Sequence, residues 1–247
     1  MPRGSQIPLL APLALAAGCL VNTDLYGQRQ AEILAAQQAG GGWGVRFAGR
    51  PDCIDIDMGG LTLDGAWTLE MYLLASQGGP GTAFPLAVWP GVFALLQNED
   101  GYTLAAPASN PVTTAGASAT RSIMDGSYHH IALNYGAGSE LSLYLDGVLG
   151  SHAPVALDAD PEPRMHLGCW TEEGLTFDGV IAEVRLSAAA LYADDFTPAW
   201  EPYEVEQATL GLWHIDEGQG SRIADETDSF PGILIGGVWE RFSLTRE

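Results

Sequence analysis

Two stretches decide the fold: FDGVIAEVRLS at residues 177–187 and TLGLWHIDEGQG at residues 209–220. In each, apolar and polar side chains alternate with the period of two that sends successive residues to opposite faces of a strand. Asp178-Gly179 and Glu217-Gly218 supply the turn residues that bound them. Between the two, the residues near 188–196 read as one short helix, capped by Ser187 and stopped by Pro198.

Outward from this run the chain repeats one theme. Val45 to Phe47, Cys53 to Asp57, Trp67 to Leu74, Phe84 to Trp89 and Val92 to Gln97 are rich in β-formers and separated by Gly, Pro or Asp. Tyr128 to Tyr135 and Glu140 to Leu145 form an expected hairpin, and Asp146-Gly147 turns the chain again. Ser151 to Pro163 carries prolines and reads as loop. Arg164 to Trp170, Ile233 to Ile235 and Val238 to Phe242 read as further strands. Short strands at roughly 8–12-residue spacing imply an all-β, two-sheet antiparallel sandwich or jelly roll.

The sequence has 247 residues, 47% of them hydrophobic, enough for one sandwich with a sizeable core. Its 10 basic residues are all arginine and face 31 acidic ones, for a net charge of −21. Such a surface repels phosphate backbones and anionic lipid, which argues against nucleic acid as a partner. Divalent cations and neutral glycans stay open.

The N-terminus has its own pattern. Met1 to Gln6 is polar with Arg3, and Ile7 to Gly18 is apolar or small, shorter than the ~20 residues a spanning helix needs. Leu15-Ala16-Ala17-Gly18-Cys19 resembles a bacterial lipobox, although Leu15 stands one place further from the cysteine than in the commonest pattern. The expected organisation is a lipoprotein signal peptide (1–18), a tether from the lipidated Cys19 to residue 42, and one folded domain from 43 to 247. A cleaved secretory signal or a start placed too early are the alternatives. An exported chain meets an oxidising compartment, so Cys53 and Cys169 are expected to pair as a disulfide. Two buried free thiols are the alternative.

Several segments, in order, resemble the laminin-G-like branch of the concanavalin A-like lectins and glucanases. They are Phe47-Ala48-Gly49 with Asp52 to Ile56, Trp67-Thr68-Leu69-Glu70, Tyr128 to Leu133, Leu143-Tyr144-Leu145-Asp146-Gly147, Phe177 to Ile181 with Ala182-Glu183-Val184-Arg185, and Leu212 to Gly218 with Gly220. The resemblance spans about residues 43–240 and implies a jelly-roll sandwich. The last segment opens the domain in many relatives. Here it either completes the same sandwich or is the stub of a second repeat.

The resemblance also implies a Ca2+ site on rim loops, with Asp178, Asp216 and Asp225 as candidate ligands. Ala182 stands where the family commonly has a carboxylate, and the loop ADETDSFPG is altered. Glucanases of this fold place paired carboxylates on one strand. Asp55-Ile56-Asp57 is the nearest run and lacks the glutamates. No Gly-x-Ser-x-Gly occurs, and the histidines show no His-x-x-x-His spacing. Trp89, beside Pro90-Gly91, is the tryptophan placed to stack on a ligand. The expected function is a non-catalytic binding module of the cell envelope, for carbohydrate or a surface protein. A structural surface lipoprotein and a divergent glycoside hydrolase are the alternatives.

Overall fold

The computed structural model describes residues 42–49, 51–76, 83–106, 116–136, 138–155 and 162–242. The expected signal peptide (1–18), Cys19 and all of the expected tether but Gly42 lie outside the described residues. The strands in chain order begin with β1 (Gly42–Ala48), β2 (Cys53–Asp57), β3 (Trp67–Ala75), β4 (Ala83–Trp89), β5 (Phe93–Asn98) and β6 (Tyr102–Ala106). There follow β7 (Ala117–Ser122), β8 (His129–Gly136), β9 (Glu140–Leu145), β10 (Val148–Pro154), β11 (Arg164–Leu167) and β12 (Cys169–Trp170). The last are β13 (Leu175–Thr176), β14 (Asp178–Ser187), β15 (Thr209–Trp213), β16 (Arg222–Ile223), β17 (Gly232–Ile235) and β18 (Val238–Phe242).

They build two antiparallel eight-stranded sheets. The first runs β10-β9-β8-β3-β14-β1-β18, with β15 also on β14. The second runs β16-β17-β2-β11-β4-β5-β6-β7. β12 and β13 form a separate small ribbon. The core lies between the two sheets. Trp67, Leu69, Met71 and Leu73 alternate inward on β3 and meet Phe93, Leu95, Ile131 and Leu133 in one buried cluster. Trp67 lies flat against Tyr135, ring centres 5.7 Å apart, and tilts against Phe93 at 5.3 Å.

Turn chemistry fixes the edges. Asp146 and Gly147 both have positive φ, at 50° and 78°, the two-residue turn whose twist suits a hairpin. Gly147 also abuts the Phe196 carbonyl, 1.9 Å from where a Cβ would sit. The Asp146 carboxylate accepts the His130 amide at 2.9 Å and reaches His129 Nδ1 at 3.0 Å. β10 continues this hairpin to Pro154, so the loop expected from Ser151 begins later than the sequence suggests. Backbone pairing with Leu141 and Glu140 holds Ala153 and Pro154 in the ladder at the sheet edge, where proline is tolerated.

The helix expected near 188–196 does not form; among the described residues there is no helix at all. The backbone groups of this segment find partners in the sheet instead of four residues back. Ala188 donates to the Ala208 carbonyl at 2.7 Å and Phe196 to that of Gly147 at 2.8 Å. Leu191 donates to Thr68 Oγ1 at 3.0 Å, and Tyr192 accepts from Asn134. The segment 188–206 thus lies as an extended strap on the outer face of the first sheet. Tyr192 and Phe196 still stack, at 3.6 Å between ring centres, so the four-residue spacing survives without the helix.

The C-terminal residues complete the sandwich and are not a stub. β15 pairs with β14, β17 with β2, and β18 with β1, so the tail adds strands to both sheets. An Arg46–Glu240 ion pair crosses the β1–β18 seam.

Candidate functional site

Of the sequence-derived site residues, Cys53 and Cys169 come together as the expected disulfide, and the three candidate calcium ligands do not converge. Asp178 opens β14 opposite Ala48. Asp225 sits beside Leu212, which pairs with Arg185, seven residues further along β14. At about 3.3 Å per residue this separates the two by roughly 23 Å. The Asp225 carboxylate is moreover consumed by its own loop. It accepts from the Leu212, Thr227, Ser229 and Phe230 amides and from the Thr227 hydroxyl, at 2.6–3.1 Å. Asp216 belongs to the His214 end of the same region, where its charge helps hold His214 protonated. Asp178, Asp216 and Asp225 therefore do not make one calcium site.

Trp89 is likewise corrected. It is fully buried in the main core, and its indole Nε1 donates to the Glu162 carbonyl at 2.7 Å. Its neighbour Pro90-Gly91 makes the turn, but the alternation of β4 sends the ring inward. A ligand outside the sandwich does not reach it.

Beneath the strap lies a polar and aromatic layer that sequence reasoning missed. The outward residues of β3 are Thr68, Glu70 and Tyr72, and all are buried. Glu70 Oε2 accepts from Arg185 Nε at 2.9 Å and from another guanidinium nitrogen at 2.7 Å. Its other oxygen accepts from the Tyr192 hydroxyl and has His130 Nε2 at 3.4 Å. Burial pushes the Glu70 carboxyl up, but the His130 and Tyr192 contacts and the Arg185 charge outweigh it, so its pKa is lowered. Arg185 also sits 4.4 Å over the Tyr203 ring.

Next to it, Glu183 Oε1 accepts the Tyr203 amide at 2.8 Å and lies 2.7 Å from His214 Nδ1. Burial raises the Glu183 pKa, and the hydrogen bond and charge of His214 offset this only in part. Burial lowers His214, but the Glu183 carboxylate more than reverses that. Glu70 and Glu183 stand on adjacent strands in diagonal register, Glu70 opposite Arg185 and Glu183 opposite Tyr72. Each is thus matched by a base and roofed by the chain's own strap, a structural role.

Among the described residues, a recess opens on the outside of the second sheet. Pro51, Asp52, Cys53, Cys169, Trp170 and the turn to Thr176 enclose a recess of about 160 Å³. Gly168, at φ 73°, breaks the chain between β11 and β12; a Cβ there would sit 2.5 Å from the Phe47 ring. This break turns Cys169 onto Cys53, to which it is disulfide-bonded with Cα atoms 5.2 Å apart. Trp170 packs its body on Val88, Ala94 and Leu96 and pairs with Leu175 across the ribbon. The rim is rigid, because the Asp52 carboxylate accepts the Ala48 and Gly237 amides, each at 2.8 Å. The recess combines an apolar floor with the hydroxyl-bearing Thr171 and Thr176. In the sequence its trace is Trp170-Thr171-Glu172-Glu173-Gly174, an aromatic leading into a Glu-Gly turn next to a cysteine.

Comparison with known proteins agrees with this architecture. Residues 48–196 match the family model described as the concanavalin A-like lectin/glucanases superfamily. A Bacteroides ovatus structure provisionally described as a carbohydrate binding protein superposes with a TM-score of 0.65 at 15% identity, over 83% of this chain and 62% of that one. The chain thus spans less than two thirds of that protein, and a likeness at this identity establishes the fold alone. A heptameric SAP-like pentraxin of Limulus polyphemus (TM-score 0.45, 13% identity, 61% of this chain and 78% of that one) is a more distant match. So is the CBM40 of a Ruminococcus gnavus sialidase (TM-score 0.44, 12% identity, 62% and 93%). No curated protein matches the sequence. With the family model covering more than half of the chain, and both sheets of the sandwich in place, the protein belongs to the laminin-G-like branch of the concanavalin A-like lectin/glucanases superfamily.

Proposed function

We propose that the chain is a non-catalytic binding module of the cell envelope whose ligand is a carbohydrate. The observation that carries this reading is the recess beside the Cys53–Cys169 bond. An apolar floor of Trp170 and Leu175 suits the C–H face of a sugar ring, and Thr171 and Thr176 suit its hydroxyls. At about 160 Å³ the recess is well below the ~300 Å³ where drug-sized pockets begin, so it takes one sugar residue or a chain end. The likeness to a protein described as carbohydrate binding supports the same class.

The divergent glycosidase reading is disfavoured by how Glu70 and Glu183 are used. A hydrolase needs one carboxyl free to donate and another free to attack or activate water. Here Arg185, Tyr192 and His214 occupy them under the strap.

The test is a glycan array on the purified domain, run with and without EDTA, alongside hydrolysis assays on β-glucans. This reading expects a retained glycan, indifferent to EDTA, and no hydrolysis. An array with no signal contradicts it, as does turnover of any glucan. Placement on the envelope rests on the lipobox-like run ending in Cys19. Palmitate labelling should mark the wild type and be lost in Cys19→Ser; equal labelling of both would remove the anchor.

A further inference from the structure

The disulfide does not stand alone. Cys53, His166 and Cys169 bring two sulfurs and an imidazole nitrogen within 4.8 Å of one another, and all three residues are buried. Cys53 Sγ lies 4.0 Å from His166 Nδ1. Asp55 stands directly opposite His166 across the β2–β11 ladder. Its Oδ1 is 3.8 Å from the same imidazole nitrogen and is buried without a hydrogen-bond partner. Its other oxygen is held by Arg164.

We propose that, when the Cys53–Cys169 bond is opened, this cluster is a binding site for a borderline-soft divalent cation, with zinc the best match. Two thiolates, an imidazole and a carboxylate are a four-donor set that zinc takes and that calcium or magnesium does not. Bonds of about 2.3 Å to sulfur and 2.0–2.1 Å to nitrogen place tetrahedral donors about 3.5–3.8 Å apart. The Cys53 Sγ to His166 Nδ1 spacing, 4.0 Å, is within about half an ångström of that, and Asp55 Oδ1, 3.8 Å from the same nitrogen, has to move inward to serve as the fourth donor. The recess lies against both cysteines, so it offers the entry path and the room for the sulfurs to part. Arg164 on Asp55 then orients the fourth ligand from outside the coordination sphere.

The chemistry needs a two-electron reductant, a dithiol or a phosphine. The Sγ–Sγ bond breaks and each sulfur gains an electron and a proton: a dithiol gives both protons and leaves as its disulfide, whereas a phosphine leaves as its oxide, with one water supplying the oxygen and the two protons. Binding the cation then releases the two thiol protons to solvent.

The test uses the full chain, oxidised and phosphine-reduced, titrated anaerobically with Co2+ and then Zn2+. The reduced chain should take up one Co2+ with a thiolate-to-cobalt charge-transfer band, displaced by Zn2+, whereas the oxidised chain should show no band. Cys19→Ser should behave as wild type. His166→Ala should weaken Zn2+ binding by at least about tenfold. Cys169→His, which cannot form the disulfide but keeps the donor count, should bind Co2+ without any reductant, and this covers the case in which the reduced wild type unfolds. The proposal is overturned if folded reduced chain and Cys169→His both fail to bind. It is equally overturned if His166→Ala binds like wild type, or if the site vanishes with Cys19→Ser.

Discussion

At the scale of single residues, the positions that matter most carry roles their neighbourhood in sequence does not announce. Trp89 stands next to a Pro-Gly turn yet fills the core. Trp89→Ala should therefore cost about 3–5 kcal/mol, as large aromatic truncations do. Denaturant melts check this, and glycan binding by the fraction still folded should be unchanged. Asp225 reads as a metal ligand on an acidic loop, but five hydrogen bonds make it the hub of that loop. Glu70 is a single letter in a common strand motif, and its partners Arg185, Tyr192 and His130 come from three other places in the chain. Glu70→Gln leaves the buried Arg185 charge with only the exposed Glu206 carboxylate, 3.4 Å away, a loss of about 3 kcal/mol at neutral pH. The pH dependence has a definite sign. The Glu70 carboxyl is lowered from its ordinary 4.5 in the folded state, and Asp146 is lowered likewise from 3.8. Their contributions are complete above those ordinary values and are lost as pH falls through the folded ones. His214 is raised, so its contribution is complete below 6.5 and fades as pH rises through its folded value. Urea titrations across pH should show wild-type stability falling on the acid side below about 4.5. Glu70→Gln should show a shallower acid limb, and an unchanged limb would remove Glu70 from the account.

At the scale of elements, local pattern sufficed to place the strands even where their partners are distant in sequence, as for β1 with β14 and β2 with β11. The β8–β9 hairpin, the Asp146-Gly147 turn and the strands from Val45 to Gln97 follow from alternation and turn residues alone. It failed at 188–196, where the apolar spacing of Tyr192 and Phe196 suits a helix. Tertiary hydrogen bonds to Thr68, Asn134 and Gly147 outcompete the local ones. The same strap explains why β3 and β14 are buried on both faces, which blurs the alternation expected of a half-exposed strand. At the disulfide the expected Cys53–Cys169 pair is present, but the approach of His166 was illegible for another reason. Cys53 and His166 are 113 residues apart, and only the β2–β11 ladder brings them together. The tail is legible once pairing is known, because β15, β17 and β18 each cover a strand that would otherwise be an open edge or lack a neighbour. Truncation after Gln207 should therefore give a chain that does not fold: it empties Trp213's place in the core and leaves β1 and β2 each with one open edge. Near-UV circular dichroism checks it, and a native-like spectrum would restore the reading of the tail as a dispensable stub.

At the scale of the whole molecule, the sandwich has two outer faces that are treated differently. The strap closes the first sheet over Glu70 and Glu183, whose carboxylates are held by Arg185, Tyr192 and His214. On the second sheet, among the described residues, the small β12–β13 ribbon covers only part of the face and leaves the recess open beside the disulfide. A fold shared with lectins and glucanases is compatible with either activity; the difference lies in which face is open. Thr171 is exposed at the lip of that recess, so Thr171→Trp fills it without entering the core. The most direct measurement is a side-by-side glycan array of wild type and Thr171→Trp, with thermal melts to show that both are folded. The account predicts a glycan held by the wild type and lost by at least about tenfold in the filled variant, the loss of roughly 1.4 kcal/mol of binding energy. Equal retention by both proteins at equal stability would contradict it.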